Sequence, residues 1–224
     1  MCGRYSITAD VDTLDKRFSF SKKGIRHIPR FNVSPTQDVL TLTSDGTSNH
    51  AQFMKWGLIP FWAKDPSIGT RMINARAETI EERPAFRQAF QQKRCLILAD
   101  GFYEWINIGK TKIPMRITLK SDEPFGFAGI WDSWKSPSGE IVTSCSIITT
   151  TPNNVVKPIH NRMPVIIPEK QERLWLDPTA PRITNALKNL MTPYPAEYMK
   201  AYEVSRLVNS GKIDSPDIII PQVL

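Results

Sequence analysis

Residues 94–120, RCLILADGFYEWINIGKTKIPMRITLK, decide the fold class. RCLILAD (94–100) is a short apolar run bounded by charged residues, the pattern of a strand. After it, FYEWI and PMRITL are joined across NIGKTK, which predicts a hairpin over 102–120. The same signature recurs at DVLTLT (38–43), QFMKWG (52–57), FGFAGIW (125–131) and VTSCSIITT (142–150), with SPSGE (136–140) as the turn before the last of these. Helical spacing appears at RPAFRQAFQQ (83–92), where Pro84 suits a first helical position and Phe86 and Phe90 lie four apart. PEKQERLWLD (168–177) and PRITNALKNLM (181–191) also open on proline. Most strands are separated by turns rather than crossover helices. The expectation is therefore an α+β protein: a single compact domain over 1–224 with a mainly antiparallel, β-barrel-like core and peripheral helices.

Composition narrows the class further. With 29 Lys+Arg against 22 Asp+Glu in 224 residues, the net charge is +7; 41% hydrophobic and 23% charged residues exclude wholesale disorder. The 18 prolines, about 8% against roughly 5% on average, fall between apolar runs (NVSP, LIPF, NRMP, VIIP) and punctuate strands. The opening MCGRYSITADVDTLDKRF lacks an apolar leader core, and runs such as CLILA and DIIIP are too short to cross a bilayer. A soluble cytoplasmic protein, with monomer as the default state, is expected. Cys2, Cys95 and Cys145 cannot all pair, which suits a reducing cytosol. His27, His50 and His160 stand alone without ligand spacing, so neither a metal nor another cofactor is expected. The positive balance favours acidic partners such as nucleic acid.

Cys2 is the most informative residue. A small second residue permits removal of Met1, leaving an α-amine and a thiol on adjacent carbons. An α-amine has a pKa near 7.7–8.0 against about 10.4 for lysine, so it is nucleophilic at neutral pH without burial. With an aldehyde it forms a Schiff base, and the thiol can close a five-membered thiazolidine. The alternative is a cysteine that merely follows the initiator. Cys95 and Cys145 lie within strand patterns and are expected in the core. His160, in the polar break KPIHNRMP, suits acid–base work near a phosphate. Glu104 shares a strand face with Phe102 and Ile106; partial desolvation would raise its pKa and suit a general acid, whereas a solvated face would leave it ordinary. In INARAET (73–79), Asn74, Arg76 and Glu78 alternate with apolar residues, as on a solvated strand. Trp56, Phe61 and Trp62 in WGLIPFW offer either core packing or stacking on unpaired bases. Arg4, Arg76 and Arg162 can clamp phosphates, as any arginine can.

Taken in order, MCGRY, RFNVSP, WGLIPFW, INARAET, CLILADGFYEW and IHNRMP resemble the SRAP family from residue 2 to about 165, and AYEVSRLVN (201–209) is similar to a later family motif. The resemblance implies a compact α+β fold with a basic groove for single-stranded DNA. It implies damage-linked processing of abasic sites through covalent capture by the mature N-terminal cysteine, Cys2. It assigns sugar positioning to Asn74, acid–base help to Glu104, and Schiff-base and strand-cleavage chemistry to His160. DNA contacts then fall on Arg4, Arg76, Thr149 and Arg162, with Phe61 and Trp62 as stacking aromatics. The expected partner is abasic single-stranded DNA, met at damage sites in the nucleoid. Two other readings stay open: an N-terminal-nucleophile cysteine hydrolase acting on a peptide or amide, and a DNA-binding module in which Cys2 is incidental.

Overall fold

In the computed structural model, which describes residues 2–109, 111–180 and 185–222, the chain opens with β1 (Tyr5–Ile7), helix α1 (Val11–Phe18) and β2 (Arg30–Val33), followed by β3 (Asp38–Ser44) and β4 (Asn49–Trp56). Then come β5 (Asn74–Arg76), α2 (Pro84–Gln92), β6 (Arg94–Ala99), β7 (Gly101–Ile108), β8 (Thr111–Leu119), β9 (Phe125–Lys135) and β10 (Ile141–Thr150). The remainder holds β11 (Met163–Pro164), β12 (Ile166–Ile167), α3 (Glu169–Leu176), α4 (Asn185–Leu190) and β13 (Met199–Glu203).

Strands β10, β4, β3, β6 and β9 close into a barrel, because β10 pairs with both β4 and β9. The pairings β4–β3, β3–β6, β6–β9 and β9–β10 are antiparallel, and β4–β10 is parallel. The ten-residue β10 serves two neighbourhoods. Ser144 and Cys145 lie opposite Lys55 and Trp56 of β4, and Ile147–Thr149 pass on to a parallel pairing with β5. A second sheet, β13-β8-β7-β1-β2, packs against the barrel. The α+β class and mainly antiparallel core agree with expectation; the two parallel pairings on β10 were not anticipated.

Local details follow from the sequence. Pro84 opens α2, which buries Phe86 and Phe90 as their spacing requires. The buried Arg94 guanidinium donates to the carbonyls of Phe90 and Gln91 at the end of α2, and to those of Trp175 and Asp177 at the end of α3. One cation thus satisfies carbonyls that two helices leave open. The hairpin predicted over 102–120 is tighter than NIGKTK suggested. Its ladder continues through Asn107↔Lys112 and Ile108↔Thr111, and Gly109 adopts φ +60° in the turn. The alternation predicted for INARAET ends at Arg76, because residues 77–79 turn into a short 3-10 helix. The last predicted helix is described as Asn185–Leu190, and residues 181–184 of that prediction lie outside the described residues. Cys95 and Cys145 are fully buried, as expected.

Two devices weld the sheet to the barrel. Tyr5 of β1 packs edge-on against Trp56 and Phe127, with ring centroids 5.3 and 5.7 Å away. Beside it, buried Asp100 accepts from Ser6 Oγ (2.7 Å), Thr8 Oγ1 (2.7 Å) and Arg116 Nη2 (3.0 Å), and Arg116 Nη1 donates to the Tyr202 hydroxyl at 2.6 Å. Residue 101 must be glycine for this network to form, since a Cβ there would lie 2.9 Å from Arg116 Nε. Across the sheet, Tyr103, Val204, Val208 and Ile218 form a separate apolar cluster, so the C-terminal segment packs back on the protein as far as it is described.

Candidate active site at the junction of sheet and barrel

Cys2 lies three residues before Tyr5, so the aromatic anchor of β1 fixes where the chain's first residues emerge. The Arg4 carbonyl accepts from Tyr103 N (2.9 Å) and weakly from Cys2 Sγ (3.8 Å), which lays this segment along β7. From the other side Asn74, the first residue of β5, donates its Nδ2 to the Cys2 carbonyl at 2.8 Å. Cys2 is buried; burial, then the charge of Glu104, pushes its thiol well above the ordinary range.

Glu104 sits on β7 and is buried, as its position between Phe102 and Ile106 suggested. Burial raises its carboxyl above the usual value, and the His160 imidazole pulls in the other direction. The two side chains approach to 3.8 Å, His160 Nδ1 to Glu104 Oε1. His160 occupies the connection between β10 and β11. Its Nδ1 also lies 3.1 Å from the Arg162 amide nitrogen and 3.2 Å from the Arg162 carbonyl. A bare Nδ1 can accept from the amide, and a protonated one can donate to the carbonyl or to Glu104. Either protonation state therefore has a partner, which suits a group that takes and returns a proton. Asn153 holds this connection in shape: its Oδ1 accepts from Val155 N and Val156 N, and its Nδ2 reaches the Tyr194 carbonyl. Sequence reasoning missed Asn153, although Pro152-Asn153 before a polar break is a turn signal.

The arginines differ in their employment. Arg162 is 14% exposed and forms a bidentate pair with Glu78, Nη1–Oε1 at 2.7 Å and Nη2–Oε2 at 2.9 Å, while Nη2 also donates to the Thr149 carbonyl at 2.6 Å. Thr149 is itself fully buried, with its hydroxyl 3.5 Å from the Ala75 carbonyl. In this structure its carbonyl holds Arg162 in place. Arg4 spends Nη1 on Asn32 Oδ1 (2.7 Å) and the Val208 carbonyl (2.6 Å), tethering the C-terminal segment. Arg76 is exposed and lines a cleft of about 280 Å³ with Arg71, Met72, Asn74, Arg83 and Phe86. Arg71 and Arg83 were not anticipated, since isolated arginines in sequence carry no signal of convergence.

Phe61 and Trp62 stand apart on their own loop, 51% and 49% exposed. The loop is rigidly held. Ile59 N donates to Ser144 Oγ, Phe61 N to buried Asp132, and Trp134 Nε1 to the Ala63 carbonyl. At its start Gly57 takes φ +131° with the Gly69 carbonyl 2.5 Å from where a Cβ would sit. Trp56, by contrast, is core. His27 Nε2 donates to the Ala9 carbonyl and His50 pairs with Asp45, both outside the group around Cys2. Among the described residues no three His, Cys, Asp or Glu side chains gather as metal ligands, and no helix is long and apolar enough to cross a membrane.

Comparison with known proteins completes the picture. The abasic site processing protein YoqW of Bacillus subtilis is 48% identical over 225 residues, covering 98% of this chain and 99% of its own. The rat abasic site processing protein HMCES is 30% identical, covering 99% of this chain and 76% of its own. A crystal structure of a Bacteroides thetaiotaomicron protein superposes with a TM-score of 0.89 at 29% identity, over 99% of this chain and 100% of that one. Residues 1–211 match the family model described as SOS response associated peptidase, and with that coverage the chain belongs to the SRAP family.

Proposed function

We propose that this protein processes abasic sites in single-stranded DNA by forming a covalent thiazolidine adduct through Cys2 once Met1 has been removed. The observation that carries the proposal is the convergence of Cys2, Asn74, Glu104 and His160 from four separate segments. Relatives named as abasic site processing proteins support the substrate class.

The chemistry follows from these groups. The α-amine of the mature Cys2 attacks C1′ of the ring-opened sugar aldehyde, forming a carbinolamine. Glu104, which burial keeps protonated to higher pH than an ordinary glutamate, donates a proton as hydroxide leaves as water. The thiol then adds across the C=N bond, its proton passing to nitrogen, and the ring closes. Burial that holds the thiol protonated leaves the α-amine as the first nucleophile, with the thiol adding once the imine has formed. His160 could divert the imine by removing a C2′ proton, expelling the 3′ phosphate in a lyase outcome. Asn74 Oδ1 is buried with no partner among the described residues, an acceptor available to the sugar. Arg76 and Arg162 would hold the flanking phosphates.

Purified protein, with loss of Met1 confirmed by intact mass, is mixed with a single-stranded oligonucleotide carrying one abasic site and run on a denaturing gel. A heat-stable shifted band that disappears with Cys2→Ala is expected. Absence of that band from protein lacking Met1 overturns the proposal and directs attention to peptide and amide substrates.

A further inference from the structure

Glu78 stands between two of the arginines assigned above to phosphates. Its carboxylate occupies the Nη1–Nη2 edge of Arg162 in fork-to-fork geometry, the arrangement by which arginine also grips a phosphodiester. Arg76, two residues earlier, contributes to the positive field that Glu78 feels; hydrogen bonds from Arg162 dominate that field. Arg162 Nε is buried with no partner among the described residues, so the guanidinium retains unused donor capacity. The two partners are unequally fixed. Arg162 is 14% exposed and held by the Thr149 carbonyl on β10, whereas Glu78 is 46% exposed and rides on the three-residue 3-10 turn Ala77–Thr79. If one partner is displaced, it is the carboxylate.

We infer that Glu78 is a specificity-determining residue that imitates a phosphate, occupying Arg162 in the free protein and giving way only when a DNA backbone takes its place. The inference rests on the reading of this groove as a phosphodiester site. Its consequence is selectivity. A phosphate that reaches Arg162 must displace a carboxylate, so intact single strands are held weakly and released. A strand bearing an abasic site is retained by the covalent bond to Cys2.

The test uses full-length protein and a fluorescent single-stranded oligonucleotide without a lesion, with anisotropy read from about 50 to 200 mM salt. For Glu78→Gln, affinity at the low-salt end should rise about fivefold with the slope of log K against log salt little changed, because Arg162 meets the same phosphate in both complexes; a slope steeper by about 0.7 would mean that Glu78 never yields in the wild type and would overturn the displacement. The double variant Glu78→Gln/Arg162→Gln should lose that gain, a coupling that a merely structural role for Glu78 would not produce. In competition, intact strand should inhibit adduct formation more strongly in Glu78→Gln than in wild type. Thermal melting confirms that the variants are folded; if Glu78→Gln is not, Glu78→Ser replaces it with the same expectations. Unchanged or weaker binding by a folded variant overturns the inference, because Glu78 would then be neutral or serve only to position Arg162. Wild-type protein that binds no single strand at any salt would overturn the phosphodiester reading along with it.

Discussion

On the sheet side of the site, Cys2 and Glu104 are carried by neighbouring segments whose positions are set by buried groups: the Tyr5 ring against Trp56 and Phe127, and the Ser6–Asp100–Arg116 network. On the barrel side, Arg76 is exposed, Arg162 is paired with a half-exposed carboxylate, and Phe61 and Trp62 face solvent. The difference matches two requirements of the proposed function. A covalent step needs reacting atoms held within a few tenths of an ångström, which dense packing and buried hydrogen bonds supply. A polymer of variable sequence needs contacts that form and release, which exposed charge and aromatic surface supply.

The sharpest way to break this comparison is to unpair the buried network. Arg116→Ala leaves Asp100 buried with its main cationic partner gone, and a loss of about 3–5 kcal/mol in urea unfolding is expected. A loss below about 1 kcal/mol would mean that packing alone holds the sheet side. On the barrel side the expectation reverses. Trp62→Ala should leave stability within about 0.5 kcal/mol, yet weaken single-strand binding by about 1–3 kcal/mol if the ring stacks on a base. Chemical denaturation and anisotropy on the same variant separate the two effects, and a variant that loses stability instead would place Trp62 among the packing residues.

A pH experiment sharpens the contrast within the site. Burial raises Glu104, so between its unfolded and native values the folded protein binds the extra proton. That contribution lowers stability as pH rises through the window, and the deficit is complete above the native value. Glu104→Gln removes the deficit. The variant should melt higher than wild type at pH 7, with the gap closing by about pH 4, where glutamate is largely protonated in either state. Its adduct rate should fall, since the side chain no longer has a carboxyl proton to give. A melting gap that is constant with pH would show that Glu104 titrates normally.

How much of this was legible in the sequence depends on whether the signal was local. The runs at 38–43, 94–100 and 125–131 announce β3, β6 and β9 because strand burial is written in consecutive residues. The parallel pairing of β10 with β4 and β5 was not legible, since those segments are far apart in the chain and no turn joins them. Glu104 could be located because its neighbours on one face are apolar. The convergence of Glu78 on Arg162 could not, because 84 residues separate them and the strand alternation that placed Glu78 beside Arg76 stops at Arg76 itself. The family resemblance named Cys2, Asn74 and His160. It also suggested Thr149 as a DNA contact, a residue whose carbonyl holds Arg162 in this structure.

The smallest expected effect tests where the rigid region ends. Tyr5 anchors β1 by its ring, but its hydroxyl is buried with no partner among the described residues, and burial raises its pKa well above the ordinary tyrosine value. A buried polar group without a partner costs desolvation with no return, so removing it should not harm the fold. Tyr5→Phe is expected to leave stability unchanged or raise it by up to about 1 kcal/mol, since the ring and its edge-on contacts remain. Adduct formation should proceed at the wild-type rate, because the anchor acts through packing. If the rate falls while the melting temperature holds, the hydroxyl takes part in the chemistry at Cys2. Tyr5 would then belong to the reacting group as well as to its frame, and the line between packed support and working site would have to pass through this single residue.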